Sequence, residues 1–115
     1  MTVTIYHNPA CTTSRNVLQV LRDNGVEPKV IEYLTTPPDR AGLLALLKKM
    51  GKKPRDILRR RGTPYDELDL GNPSLSDDRI IDAILAHPIL IERPIVVTPK
   101  GAKICRPPET VKELL

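Results

Sequence analysis

The spacing of hydrophobic residues predicts a strand followed by a helix at the start of the chain. Val3 and Ile5 alternate with polar residues, and Pro9 ends this strand pattern. Residues 12–14 are of types that begin helices, and the Asn-Gly pair at 24–25 is typical of a helix end. Between them, the apolar positions with helical spacing are Val17, Val20 and Leu21.

A second strand and a helical region are predicted next. Residues 30–34 have a strand pattern, and the helix before them makes a crossover, so the two strands should be parallel neighbours. Residues 39–87 are helical in pattern, and we expect Ser76 to cap their third helix. Their apolar positions are Leu43, Leu44, Leu47, Met50, Ile57, Leu58, Ile80, Ile81, Ile84 and Leu85.

The last part of the chain predicts an antiparallel hairpin and a final amphipathic helix. Residues 94–98 and 103–105 form the two hairpin strands around the turn at 99–101. The order is thus β-α-β, a helical insert, β-β-α, with Cys11 at the first strand-to-helix junction. We predict an α/β, thioredoxin-like fold: a four-stranded mixed sheet with flanking helices and a helical insert between the second and third strands. One domain over residues 1–115 is expected.

Composition excludes several classes of protein. Two cysteines are too few for a disulfide scaffold or for a zinc site of CxxC pairs. Aromatic residues make up 3% of the chain, which argues against an RNA reader that stacks bases. The chain has no apolar run of membrane-spanning length and no signal-peptide pattern at its start. We therefore expect a cytoplasmic protein with no nucleic-acid or membrane partner.

The positive charge is concentrated in one segment. The net charge is +4, yet residues 48–61 hold eight basic groups against one acidic group. Such a local potential fits an anionic small molecule or an acidic partner surface. A solvated helix face is the alternative interpretation.

Cys11 is the strongest candidate for chemistry. It lies just before a helix whose free N–H groups favour a thiolate, with His7 and Arg15 nearby to add positive charge. An ordinary thiol is only about 3% ionised at pH 7, so a lower pKa would greatly increase the fraction of reactive thiolate. The hydroxyls of Thr13 and Ser14 and the N–H groups of the same turn could hold an oxyanion beside the sulfur.

The residue spacing around Cys11 does not match the motifs of two other classes of cysteine enzyme. A low-molecular-weight phosphatase loop needs five residues between its cysteine and arginine, whereas three separate Cys11 from Arg15. A dithiol oxidoreductase needs Cys-x-x-Cys, and Ser14 occupies the second position. Cys11 is therefore a single thiol that needs an external thiol to complete a redox cycle.

Several segments resemble the glutaredoxin-coupled arsenate reductase family. They are His-Asn-Pro-Ala-Cys-Thr-Thr-Ser-Arg-Asn at 7–16, Arg-Pro-Ile-Val-Val-Thr-Pro at 93–99 and Cys-Arg-Pro at 105–107. The resemblance runs through nearly the whole chain. It implies arsenate as the substrate, glutathione as the co-substrate and glutaredoxin as the protein partner, with no bound cofactor and no metal.

The resemblance also implies roles for individual residues. Cys11 is the nucleophile, His7 helps to lower its pKa, and Ser14 hydrogen-bonds at the site. An anion cage is formed by Arg59, Arg93 and Arg106. Arg15 and Thr13 are added as substrate contacts on physical grounds alone.

Two further expectations concern Pro94 and Cys105. Thioredoxin-like folds generally have a cis-proline facing the active-site cysteine, and Pro94 fits that place, so we predict a cis peptide bond before it. Cys105 lies beside a predicted strand, and we assign it no catalytic role.

Two other functions remain open at this point. The protein could be a monothiol thiol-disulfide transferase that acts on glutathionylated proteins. A thiol-sensing regulator that binds the RNA polymerase α subunit is the second alternative. That branch carries Cys-x-x-Cys, so Ser14 argues against it.

Overall fold

The computed structural model describes residues 2–115. They form two compact units, one made of the segments up to Thr36 and from Arg93 to Leu115, and the other of Pro37–Glu92. None of the helices in the described part of the chain is both long and apolar enough to span a membrane. The single domain expected over residues 1–115 remains a prediction.

The first unit contains a four-stranded mixed sheet with the strand order β2-β1-β3-β4. Its strands are β1 (Thr4–His7), β2 (Lys29–Glu32), β3 (Ile95–Thr98) and β4 (Gly101–Ile104). β1 pairs with β2 in parallel and with β3 antiparallel, and β3 and β4 form an antiparallel hairpin. These pairings confirm the predicted mixed sheet, the parallel first pair and the hairpin.

β2 is shorter than predicted. Tyr33 and Leu34 lie in a turn instead of the strand, because the carbonyl of Glu32 accepts the N–H groups of Thr35 and Thr36. The chain therefore leaves the sheet directly after Glu32.

The helix α1 (Thr12–Asp23) covers one face of the sheet. Its N-cap residue is Cys11 itself, one position before the residues that the sequence indicated. Its end at Asn24 and Gly25 is as predicted, and Gly25 has a φ of +77°, which glycine adopts without strain. The core beneath α1 is formed by Val3, Ile5, Val17, Leu21, Val96, Cys105, Val111 and Leu114.

The last helix is a 3₁₀-helix over Pro108–Leu114 and differs from the regular amphipathic helix that the sequence suggested. Its bonds join residues three apart, as from the N–H of Thr110 to the carbonyl of Pro107. Val111 and Leu114 are buried in the core, and the Thr98 hydroxyl donates to the Leu114 carbonyl at 2.8 Å.

The second unit is the helical insert. It contains α2 (Arg40–Met50), a 3₁₀ turn at Pro54–Ile57, α3 (Asp77–Ala86) and a 3₁₀ turn at Pro88–Leu90. The predicted cap of α3 is confirmed, since the Ser76 hydroxyl accepts the N–H of Arg79 at 3.3 Å.

The basic segment 48–61 has two kinds of side chain. Its lysines are exposed, as a solvated face requires. Arg55 instead donates to the carbonyl oxygens of Leu70 at 2.7 Å, Asn72, and Leu75 at 3.3 Å. One guanidinium thus fixes the turns between the short 3₁₀ segment and α3.

We predict that Arg55→Ala destabilises the protein. Hydrogen bonds from a charged group contribute about 1.5–3 kcal/mol, so the free energy of unfolding should fall by roughly that amount. Urea unfolding measures it, with the exposed Arg61 replaced by alanine as the control. Equal stability of the two variants would contradict the role given to Arg55.

Candidate active site

The site lies at one edge of the sheet, where the chain leaves β1, β2 and β4 and enters β3. His7 pairs with Glu32, so the next residues, Asn8 and Tyr33, stand side by side. Tyr6 pairs with Ile95 in the antiparallel sense, which brings Asn8 beside Arg93 as well.

The hairpin brings a further arginine to the same edge. The Cys105 N–H donates to the Pro94 carbonyl at 3.0 Å, and the pairing continues one residue outward to Arg106 and Arg93. The Arg106 guanidinium donates to the Arg93 carbonyl at 2.8 Å. Strand register therefore gathers residues that are far apart in sequence.

Cys11 is placed by a tight turn after β1. Its N–H donates to the Asn8 carbonyl at 3.0 Å, and its own carbonyl accepts the N–H of Arg15, also at 3.0 Å. The side chain is half-buried and forms no disulfide. The sulfur is thus held at the first turn of α1 and remains reachable from solvent.

The surroundings of Cys11 lower the pKa of its thiol. Burial raises this pKa, but the backbone N–H of Ser14 and the guanidinium groups of Arg93 and Arg106 favour the thiolate more strongly. Nη1 of Arg106 lies 4.0 Å from Sγ. The net pKa is below its ordinary value, as expected for an activated thiol.

Ser14 is the centre of a buried polar network. Its hydroxyl lies 2.6 Å from Nδ1 of His7 and accepts the N–H of Asn8 at 3.1 Å. Because the hydroxyl oxygen already accepts from Asn8, its proton is available to a neutral Nδ1. The network ties the end of β1 to the first turn of α1 and so fixes the N–H that faces the sulfur.

His7 is placed to act through Ser14. Burial lowers the pKa of the His7 ring, and the charges of Arg22 and Arg15 lower it further, against an opposite effect of Glu32. The ring is therefore mainly neutral at pH 7, so the sequence-based expectation that His7 adds positive charge beside Cys11 is wrong. Its predicted influence on the Cys11 pKa stays a prediction, with Ser14 as the physical link between the two side chains.

Arg15 and Thr13 lie in the first turn of α1. The Arg15 guanidinium donates to the Pro9 carbonyl at 2.8 Å and to the Thr12 hydroxyl at 3.2 Å. These bonds brace the loop before Cys11. Thr13 is half-buried at the second position of α1. Their predicted contacts with a substrate remain predictions.

Pro94 has the cis peptide bond that the sequence analysis predicted, and the bond between Arg106 and Pro107 is cis as well. Pro94 is buried and joins Arg93 to β3.

Arg59 belongs to the second unit, where its guanidinium is held in a definite orientation. It donates to Oε1 of Glu92 at 2.9 Å and to the Arg61 carbonyl at 3.1 Å. Its backbone N–H donates to the Leu90 carbonyl at 2.7 Å. Arg59 is half-buried, unlike the exposed Arg60 and Arg61. Its place in an anion cage remains a prediction.

Cys105 has the opposite environment to Cys11. It is fully buried in the core, and burial raises the pKa of its thiol to about 11. The thiol lies 3.6 Å from the Lys103 carbonyl.

Asn8 and Tyr33 were missed as site residues in the sequence analysis. Asn8 is buried, and its side-chain oxygen accepts the Ala10 N–H at 3.0 Å. Tyr33 is fully buried and hydrogen-bonds to Asn8 and Arg93. Asn8 lies just after the first predicted strand, but Tyr33 falls within the second predicted strand at 30–34, so residue types alone did not indicate that the two side chains meet.

Within residues 2–115, no three His, Cys, Asp or Glu side chains come together as metal ligands would. The site is built instead from one thiol, two guanidinium groups and oriented N–H groups, which can stabilise negative charge on sulfur and on a bound oxyanion.

Comparison with known proteins identifies the relatives of this chain. Residues 6–114 match the ArsC family. The arsenate reductase of Rhizobium meliloti (strain 1021) is 56% identical over 115 residues, which are 100% of this chain and 82% of that protein. A protein of Escherichia coli (strain K12) named "Uncharacterized protein YfgD" is 48% identical, over 98% of this chain and 96% of that protein.

A solved structure shows the same fold. The arsenate reductase from Vibrio cholerae superposes with a TM-score of 0.95 and 46% identity, over 100% of this chain and 98% of that chain. The thioredoxin-like class predicted from the order of elements is thereby confirmed.

We predict that iodoacetamide distinguishes the two cysteines. The rate at Cys11 should rise with pH around a midpoint below the ordinary thiol pKa, because only the thiolate reacts. With a pKa of about 11, roughly one Cys105 thiol in ten thousand is ionised at pH 7. Mass spectrometry of tryptic peptides gives both rates. Equal rates, or a midpoint for Cys11 above the ordinary value, would contradict the assignment.

Proposed function

The chain belongs to the ArsC family, and we propose that it is an arsenate reductase that uses Cys11 as its nucleophile. The observation that carries the proposal is the half-exposed Cys11 thiol, whose pKa is lowered by the Ser14 N–H and by two arginines. Relatives named as arsenate reductases, such as the protein of Rhizobium meliloti, support arsenate as the substrate.

In the first step, the Cys11 thiolate attacks arsenic(V) and displaces one oxygen as water or hydroxide. A bond from sulfur to arsenic forms, and the oxidation state of arsenic does not change. Arg93 and Arg106 offer planar N–H donors to the arsenate oxygens, so their charge opposes the negative charge that the thiolate brings.

Reduction then needs two electrons from thiols outside the chain. Glutathione replaces a second oxygen on arsenic, which leaves as water, and the thiolate of glutaredoxin then attacks the glutathione sulfur. The resulting mixed disulfide takes away the glutathionyl group and leaves an electron pair on arsenic, which becomes arsenic(III). Water releases arsenite and restores Cys11. This cycle requires a reducing compartment, for which the cytoplasm is our proposal.

The proposal is tested by arsenate-dependent NADPH oxidation with glutathione, glutathione reductase and glutaredoxin. Cys11→Ser should abolish the activity, whereas the matched Cys105→Ser should retain it because Cys105 is buried away from solvent. Turnover of glutathionylated proteins without any turnover of arsenate would instead establish the monothiol transferase.

We predict that alanine replacement of the arginines of the anion cage lowers the turnover of arsenate. Losing one charge-assisted contact costs about 1.5–3 kcal/mol, so Arg93→Ala and Arg106→Ala should each lower kcat/KM for arsenate roughly 10- to 150-fold. The anion cage implied by the family resemblance includes Arg59 as well, so Arg59→Ala should lower kcat/KM over the same range.

The controls are Arg60→Ala and Arg61→Ala, which remove exposed charges from the same basic segment. They should change kcat/KM only a few-fold, through an attraction that salt screens. Equal losses at all five positions would mean that the segment acts as a diffuse field and that no specific cage exists.

A further inference from the structure

We propose that Tyr33 is a positioning residue that holds the Arg93 guanidinium against the Cys11 thiolate. The part of this proposal that concerns the substrate rests on the proposed function. The part that concerns the thiol does not, because Cys11 and Arg93 interact without any substrate.

Strand register places Tyr33 in line with the groups it would orient. The pairing of His7 with Glu32 sets Tyr33 beside Asn8, and the pairing of Tyr6 with Ile95 sets Asn8 beside Arg93. These three residues therefore form one row across the sheet edge, just beyond the ends of β1 and β2 and before β3.

Hydrogen bonding connects the row. The Tyr33 phenol interacts with the side chains of both Asn8 and Arg93. A guanidinium can only donate, so the phenol oxygen is the acceptor for Arg93. The backbone carbonyl of Asn8 accepts the N–H of Cys11, which connects the same row to the turn that carries the sulfur.

Burial keeps the Tyr33 phenol neutral and fixed in position as an acceptor for Arg93. Tyr33 has no exposed surface, and burial raises the pKa of its phenol, with the Arg93 charge as the main opposing effect, so it remains neutral at physiological pH. A neutral, fixed acceptor limits the rotamers of a long arginine without neutralising its charge. A carboxylate would orient the guanidinium equally well but would cancel the field that favours the thiolate.

The test is Tyr33→Phe, which keeps the ring and removes only the hydroxyl oxygen. We expect the pKa of Cys11, taken from the pH dependence of alkylation without arsenate, to rise by roughly half a unit to one unit as Arg93 becomes less well oriented. In the arsenate assay, KM should increase roughly 3- to 10-fold with a smaller change in kcat, as expected for the loss of one positioning hydrogen bond.

Tyr6→Phe is the matched control, because Tyr6 is a partly buried tyrosine on the neighbouring strand β1. It should leave the alkylation profile unchanged. Thermal unfolding of both variants checks that the fold is intact. A Tyr33→Phe protein with the wild-type thiol pKa would overturn the proposal.

A double-mutant cycle shows whether Tyr33 acts through Arg93. In an Arg93→Ala background, Tyr33→Phe should cause no additional shift in the Cys11 pKa. A shift as large as in the wild-type background would also overturn the proposal, since Tyr33 would then act by another route. Failure of the wild type to turn over arsenate would refute the proposed function but leave both alkylation results valid.

Discussion

The pairing of β1 with a strand on each side is the constraint on which the site depends. β2 runs parallel to β1 and β3 runs antiparallel, so one edge of the sheet collects the carboxyl ends of β1 and β2 and the residue before β3. Tyr33, Asn8 and Arg93 meet there although they are distant in sequence. A shift of one residue in the pairing of a strand would turn its side chains to the other face of the sheet and separate the three residues.

Ser14 links the end of β1 to the turn that carries Cys11 and lowers the pKa of its thiol. Its hydroxyl is fully buried and joins His7 and Asn8, while its N–H faces the sulfur. The Ser14 hydroxyl thus holds the turn in place, while the Ser14 N–H stabilises the thiolate. The helix end supplies donors, and the buried network gives them a fixed direction, so no reorganisation is needed when charge develops on sulfur.

Local signals in the sequence predicted the elements and the reactive cysteine, because caps, periodicity and the position of Cys11 depend on neighbours in the chain. The N-cap of α1, the end of β2 and the 3₁₀ form of the last helix differ by details of hydrogen bonding that residue types do not encode. The hydrogen bonds of Arg55 and the contact of Tyr33 with Arg93 were missed for another reason: each joins segments whose proximity follows only from tertiary structure. The resemblance to relatives, not periodicity, selected Arg93 and Arg106.

The presence of serine at position 14 also determines how the chain responds to oxidants. The first turn of α1 contains no second thiol, and Cys105 is buried with a pKa of about 11. Cys11 therefore has no partner for a disulfide within its own turn, and a disulfide at Cys11 needs a sulfur from solution. A disulfide formed in this way is a mixed disulfide, which a thiol from solution can reverse by exchange.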